Sequence, residues 1–267
     1  MSADIKSLRN RLKSIHSTLH LTSAMGLVAS SKIRGVTSKM LKAKDYAAAL
    51  EEMVVLLSAN AECKKSPFLS EKKGDRLCLI CVAGDRGLAG GYNANIFRFF
   101  KTLSPAAVFP IGKRACDRFG KEGKNAEKFS YEDARDLAKT ICAGFKAGEY
   151  DKAAILYTKY HSMMSQEASL KDLLPIRWEK EGTKTGIIFE PDEKVVLEAM
   201  IPDYLAGVIF SCVKESFACE IAARHVAMDN AEKNAKKMIE DLEIQYNRAR
   251  QSAITQEITE IVAGSGT

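Results

Sequence analysis

The chain has 267 residues, of which 46% are hydrophobic and 28% charged, a composition typical of a folded globular protein rather than a disordered one. We expect a soluble, unexported protein. No uninterrupted apolar run approaches the roughly 18 residues of a membrane span, and the N-terminus MSADIKSLRN lacks the apolar core of a signal peptide. The seven cysteines are scattered and odd in number, which indicates a reducing compartment.

The net charge is +6, and the positive charge is concentrated near the N-terminus. Residues 1–44 contain nine Lys or Arg side chains and one acidic residue, Asp4. An acidic partner is therefore expected, either nucleic acid or an acidic protein surface. No aromatic residue precedes Tyr46, so the segment lacks a platform for base stacking. These charges favour a protein partner over nucleic acid.

The first predicted element is a long helix over residues 1–62, a range without proline. Its apolar residues recur at alternating steps of three and four, which is the pattern of a coiled-coil seam. The seam begins with Ile5, Leu8, Leu12, Ile15 and Leu19.

The middle of the chain, residues 74–195, alternates apolar strand candidates with helix candidates, which is typical of a small open α/β sheet of Rossmann-like type. Strands are predicted at 77–82, 106–111 and 153–158, with edge strands at 173–178 and 187–190. Helices are predicted at 93–102, 113–120 and 132–146. Cys78 and Cys81 form a CxxC pair inside the first strand, where side chains three apart point to opposite faces. We interpret them as core residues rather than a metal or redox pair.

A second long helix is predicted over residues 203–267, with seam residues near a 3.5-residue period that include Met238, Leu242, Gln245, Ala249 and Ser252. About 60 helical residues would extend roughly 90 Å, too long for a compact domain to bury. We expect this helix to pair with residues 1–62 as an antiparallel coiled coil. The seam is rich in Ala, Ser, Gln and Met, so the pair gains little apolar burial and needs outside support.

The stretch VAGDRGLAGGYNAN, residues 82–95, follows the first strand and contains four glycines. Such a loop can cradle a phosphate, but the lysine and hydroxyl of a Walker loop are missing. The dinucleotide fingerprint GxGxxG and its acidic ribose partner are missing too. A tight strand-to-helix turn, with glycines that permit positive φ and close packing, is the favoured interpretation.

No catalytic, cofactor or metal site is predicted. His16 and His20 have the i, i+4 spacing of zinc ligands, but no cysteine or acidic ligand accompanies them. No tuned carboxylate pair or activated nucleophile is evident.

The C-terminal tip, residues 249–263, contains only three charged residues but includes Ile254, Ile258 and Ile261. A helix end in plain water is expected to be more charged. The pattern favours a tip held in an apolar socket over a frayed end.

Four segments, in this order and spacing, resemble the gamma subunit of F-type ATP synthases along nearly the whole chain. They are LTSAMGLVASSKIR (21–34), GDRGLAGGYNANIF (84–97), MMSQ (163–166) with FEPD (189–192), and ACEIAARHVAMDNAEKNA (218–235) followed by YNRARQSAITQEITEIVAG (246–264). The resemblance implies a non-catalytic rotor. Its paired terminal helices would turn inside a hexamer of alternating alpha and beta subunits, and its α/β domain would sit beside the epsilon subunit and the c ring. Nucleotide chemistry would occur on the beta subunits.

The resemblance also implies contact residues. Arg250, Gln251 and Thr255 match the polar group that catches a beta-subunit loop. Met25 matches the position where the shaft passes the acidic lever of beta, and Lys32 and Arg34 are expected to make ionic contacts there. A foot residue near the c ring and epsilon is expected at Tyr204, although Ala206 and Gly207 replace an acidic residue found in some relatives.

By this resemblance the chain is expected on the cytoplasmic face of a bacterial inner membrane, as a peripheral part of the complex. Two other classes stay open from the residues alone. One is a small α/β nucleotide-binding protein with coiled-coil arms. The other is a free-standing coiled-coil protein of chromosome-organising type, for which the required Walker lysine motif near the termini is missing.

Overall fold

The computed structural model describes residues 2–58, 63, 66–177 and 192–265. Within these residues it contains helices and strands in the order α1 (Ser2–Ser58), β1 (Leu77–Val82), α2 (Tyr92–Phe100), β2 (Ala107–Ile111), α3 (Lys113–Phe119), α4 (Tyr131–Ala147), β3 (Lys152–Tyr160), β4 (Gln166–Leu174) and α5 (Glu193–Ser265). The predicted combination of two long terminal helices and a central α/β sheet is confirmed. The predicted strand at 187–190 lies outside the described residues, as do Trp178 and most of FEPD.

The chain divides into two compact units, one formed by residues 1–31 and 224–267 and the other by residues 32–223. These boundaries cut through α1 and α5, whereas the sequence pattern suggested boundaries at the ends of the helices. The second unit therefore contains the sheet together with one segment of each long helix.

In the first unit, the start of α1 shows the predicted seam. Among residues 4–20 only Ile5, Leu8, Leu12, Ile15 and Leu19 are half-buried, and the others are exposed. A coiled-coil stripe of this kind buries one narrow face and leaves the rest of the helix in water.

The two helix segments of the first unit run antiparallel. The side chains of Ser23 and Glu232 interact, and three residues later the carbonyl of Gly26 lies 3.4 Å from the His225 ring nitrogen. A Cβ added at Gly26 would lie 3.5 Å from the Cβ of Met228, an ordinary van der Waals contact. The backbones therefore approach closely at this point.

The seam of α5 differs from the predicted one beyond Ala235. Met238 is 39% exposed, and Gln245 and Ser252 are exposed as well. Ile239 is buried in place of Met238, at 8% exposure, whereas the predicted seam residue Leu242 is buried as expected, at 4%. Only the alternate seam positions move by one residue, to Ile239 and the half-buried Tyr246, because these side chains bury more apolar surface than Gln or Ser would.

Helix α5 begins at Glu193, ten residues before the predicted start, and carries Pro202 in its interior. Proline has no backbone N–H to donate to the carbonyl four residues earlier, which normally ends or kinks a helix. The flanking residues Ile201 and Leu205 are both fully buried. Their packing offsets the lost hydrogen bond, so the proline rule placed the boundary too late.

Helix α5 also contains an 18-residue window with a mean hydropathy of 1.6, long and apolar enough to cross a membrane by length and composition. The window contains polar residues among the apolar ones, so it does not stand out as an uninterrupted apolar run. Within the fold 56% of the window is buried, and core helices of soluble proteins meet the same criterion. We assign it to the core.

The sheet has the strand order β2-β1-β3-β4. Strand β1 is parallel to both β2 and β3, while β4 is antiparallel to β3. The predicted strand at 173–178 is wrong in position, since the strand spans Gln166–Leu174 and residues 175–177 are not part of it. The sequence QEASLKDLL has weak β propensity, so this edge strand depends on its pairing with β3.

The starts of β1 and β3 are joined by an ion pair. The Arg76 guanidinium donates to both carboxylate oxygens of Asp151, at 3.0 Å and 3.1 Å. The Arg76 backbone N–H donates to the same carboxylate at 3.2 Å. The hydrogen bond from the Arg76 side chain lowers the pKa of Asp151 below its ordinary value.

This pair predicts an acid-sensitive contribution to stability. Because the pKa is lower in the folded state, the contribution is present above about pH 4, the ordinary pKa of aspartate, and is lost as the pH falls through the folded-state value. Below about pH 4 the free energy of unfolding, measured with urea, should therefore fall more steeply with pH for the native chain than for the Asp151→Asn variant. The exposed Asp117→Asn is the control, and equal slopes for all three proteins would contradict the assignment.

Candidate functional site

The glycine-rich loop, residues 83–91, follows β1 at the carboxyl edge of the parallel strands. Open α/β proteins bind their ligands at this edge. The position of the loop is therefore one at which a phosphate or another anion could bind.

A carboxylate from the chain itself occupies the loop. The Glu220 carboxylate of α5 accepts hydrogen bonds from the backbone N–H groups of Asp85 and Arg86, at 3.2 Å and 3.4 Å. Glu220 is 1% exposed. A Cβ added at Gly84 would lie 2.9 Å from the Glu220 Cδ, so a larger residue there would require the Glu220 side chain to shift. The backbone N–H groups that could bind a phosphate are present in the loop, but the Glu220 side chain already accepts their hydrogen bonds.

Asp85 has a structural role in the same loop. Its carboxylate accepts hydrogen bonds from three backbone N–H groups, those of Lys113 at 3.0 Å, Ala126 at 3.0 Å and Glu127 at 2.8 Å. The side chain thus fixes the start of α3 and the segment that precedes α4. An acidic residue in this position is held by the fold and is not presented to a ligand.

Two further polar residues of α5 bond to the same edge of the sheet. The hydroxyls of Ser216 and Tyr92 share a hydrogen bond of 2.7 Å, and the Thr158 N–H donates to Ser216 Oγ at 3.1 Å. The Glu215 carboxylate accepts from the Tyr160 N–H at 2.8 Å. Burial raises the pKa of Tyr92, and the nearby Glu220 charge raises it further, so the phenol stays protonated.

The glycines of the loop have different roles. Gly90 alone among the four has positive φ, at 55°, and the exposed Leu88 also has a φ of 60°. Gly84 instead leaves room for the Glu220 side chain to reach the loop. The predicted interpretation as a strand-to-helix turn holds, but its conformational requirement falls on Gly90 and Leu88.

The predicted tip residues are all accessible. Arg250, Gln251 and Thr255 are exposed, and the Thr255 hydroxyl donates to the Gln251 carbonyl within the helix at 2.9 Å. Ile254, Ile258 and Ile261 are 47%, 57% and 70% exposed. The tip therefore presents an apolar stripe beside a polar one.

The predicted contacts on α1 lie in different surroundings. Met25 is half-buried in the first unit. In the second unit Lys32 is already paired with Glu127 at 2.8 Å, and its side chain is 39% exposed. Arg34 is exposed. Arg34 is thus the more available of the two cations.

Tyr204 is 7% exposed. Burial raises its pKa above the ordinary value, and the Glu51 carboxylate adds to the shift. The side chain offers little surface for a partner, so any effect on a partner would come through its packing.

Glu215, Ser216 and Glu220 were not predicted as functional residues. Their signal is the presence of two acidic residues inside YLAGVIFSCVKESFACEIAA, residues 204–223, where α5 is otherwise mostly apolar. Carboxylates on a buried helix face are rare unless they are paired. Among the described residues no group of three His, Cys, Asp or Glu side chains is placed to hold a metal ion.

Comparisons with known proteins cover nearly the whole chain. A family model described as ATP synthase matches residues 4–267. The ATP synthase gamma chain of Moorella thermoacetica is 36% identical over 278 residues, covering 98% of each protein. The gamma chain of Acetobacterium woodii, described as sodium ion specific, is 32% identical over 298 residues, covering 99% of each.

Solved structures share the fold. A chain of the Euglena gracilis mitochondrial ATP synthase, in an assembly of OSCP, F1 and c-ring, matches with a TM-score of 0.69 and 17% identity, covering 98% of this chain and 94% of that one. A chain of the Euglena rotor matches with a TM-score of 0.66, covering 95% of this chain and all of that one.

The occupied loop predicts that the isolated chain does not bind nucleotides. Equilibrium dialysis with ATP, ADP and NAD should show no binding at micromolar concentrations, because Glu220 already uses the N–H groups of Asp85 and Arg86. Micromolar affinity for any of the three would contradict this assignment.

Proposed function

The chain belongs to the gamma chain family of the ATP synthases, so it is a non-catalytic rotor subunit that couples rotation to ATP turnover on the beta subunits, and we propose that its exposed C-terminal tip is the part that meets those subunits. The observation that carries this proposal is the accessible isoleucine stripe on a helix end with few charges. Exposed apolar patches of this kind mark interaction sites.

The tip has two faces that suit two kinds of contact. Ile254, Ile258 and Ile261 recur at helical spacing and form a stripe suited to an apolar sleeve of the alpha and beta subunits. Arg250, Gln251 and Thr255 supply donors and acceptors for a beta-subunit loop. Because the chain lacks three-fold symmetry, each orientation contacts the three beta subunits differently. Differential contact is what shifts their populations among states of different nucleotide affinity.

Helix α1 supplies the proposed electrostatic contacts. Met25 would lie where the shaft passes an acidic segment of beta, and Lys32 and Arg34 would attract that segment. Arg34 is exposed, whereas Lys32 would have to share its charge with Glu127. We therefore assign the larger contribution to Arg34.

Tyr204 would support the contact with the c ring and the epsilon subunit from within. Because its ring is buried, it would position the surrounding surface of α5 rather than touch the partner. The subunit is part of the membrane-associated ATP synthase. We propose that it lies peripherally on the cytoplasmic face of the inner membrane.

The tip assignment predicts an effect of Gln251→Ala with Thr255→Ala in the assembled complex. Loss of the polar contacts should lower the ratio of ion transport to ATP hydrolysis by about fivefold, the factor for roughly 1 kcal/mol. Both quantities are measured in membrane vesicles, and circular dichroism of the isolated chain should stay unchanged.

Thr259→Ala is the matched control, because its hydroxyl makes the same helical bond, to the Thr255 carbonyl at 2.8 Å. Native turnover and ion coupling in the double variant would count against the roles of Gln251 and Thr255.

The electrostatic assignment predicts a difference between two exposed cations of α1. Arg34→Gln should lower ATP hydrolysis by the assembled complex and weaken its salt dependence, because a charge facing an acidic partner is lost. Lys39→Gln, also exposed, should change neither. Equal effects of the two variants would reject a specific role for Arg34.

A further inference from the structure

Four polar residues on one side of α5, Glu215, Ser216, Cys219 and Glu220, form what we name the polar turn. Each is at most 4% exposed. We propose that the polar turn is a clamp that fixes the rotation of α5 about its own axis against the sheet, so that this segment of α5 and the α/β sheet turn as one body. Glu215, Ser216 and Glu220 are positioning residues in this proposal.

The clamp joins α5 to several separate elements of the second unit. Glu220 bonds to the loop after β1, and Ser216 bonds to α2 and β3. One oxygen of Glu215 accepts from the end of β3 and also from the Lys44 ammonium of α1 at 2.7 Å. Cys219 Sγ lies 3.5 Å from the Thr158 carbonyl.

A contribution to the stability of the fold does not by itself explain why these polar and charged side chains are buried. A buried ion pair is often no more stabilising than well-packed apolar residues of similar volume, because both charges lose their hydration. Hydrogen bonds are directional, so unlike apolar contacts they also fix the orientation of α5. Turning α5 by one residue rotates it by about 100° and would bring Lys214 or Ser216 to the position of Glu215. Lys214 has no acceptor atom, and the shorter, uncharged Ser216 could not replace the carboxylate oxygen that accepts from both Lys44 and Tyr160.

The consequence rests on the proposed rotor function. Torque acts to twist a shaft about its long axis, and that is the motion these bonds oppose. A loosened polar turn would let α5 slip against the sheet during each step. ATP hydrolysis would continue while less of the rotation reached the ion-translocating part of the complex.

The test uses the complete ATP synthase in membrane vesicles, with the ratio of ATP-driven ion uptake to ATP hydrolysis as the readout. Glu220→Met removes both acceptors from the loop, and Ser216→Ala removes one buried oxygen. Each should lower the ratio by about fivefold or more, because each variant removes two hydrogen bonds of a buried side chain. Glu220→Gln keeps one acceptor oxygen and a similar shape, so its ratio should fall less than that of Glu220→Met.

Asp75→Met is a surface control, because Asp75 is 92% exposed and pairs with Lys152 at 2.6 Å, at the opposite end of the sheet from α5. Its ratio should stay native. Should Glu220→Met fail to assemble, Ser216→Ala decides. A native ratio in Ser216→Ala, or equal ratios in Glu220→Met and Asp75→Met, would overturn the clamp. Failure of the native complex to couple uptake to hydrolysis would instead reject the rotor function itself.

Discussion

The second unit of this protein depends on the contact between α5 and the carboxyl edge of its sheet. In many α/β folds that edge is open to a ligand, but here the Glu220 carboxylate accepts the N–H groups of Asp85 and Arg86. A buried carboxylate without such donors would cost several kcal/mol. The loop and the helix therefore require one another. The same contact explains how a Rossmann-like sheet can belong to a protein without nucleotide chemistry of its own.

The sequence predicted the architecture where local pattern decides it. The heptad spacing of α1 from Ile5 to Leu19 reappears as the half-buried stripe, and the apolar strand 77–82 has the predicted bounds. Tertiary contacts decided the rest. Helix α5 continues through Pro202 because the residues around the proline are buried. Strand β4 has low β propensity and forms because it pairs with β3. Glu220 could not be assigned, because its partners are backbone groups more than 130 residues away along the chain.

The side chains of the second unit and those at the tip of α5 differ in what they contact. In the second unit, acidic side chains such as Asp85 and Glu215 accept hydrogen bonds from donors of the chain itself. At the tip of α5, Ile254, Ile258 and Ile261 stay exposed, and the polar groups beside them are accessible. One region is suited to hold its internal geometry, and the other to contact successive partners. A non-catalytic rotor needs both properties. Its own fold stays fixed, while rotation changes which partner surface contacts the tip.

The central claim is that this chain turns inside a ring of nucleotide-binding subunits. The most direct measurement is single-molecule rotation of a complex of this chain with the alpha and beta subunits, with the ring fixed to a surface. A gold particle attached through Met164→Cys, an 80% exposed site, reports the orientation of the chain. We predict rotation in one direction on addition of ATP, with three pauses per turn, one for each beta subunit. A complex that hydrolyses ATP while the particle stays at a fixed angle would contradict the account.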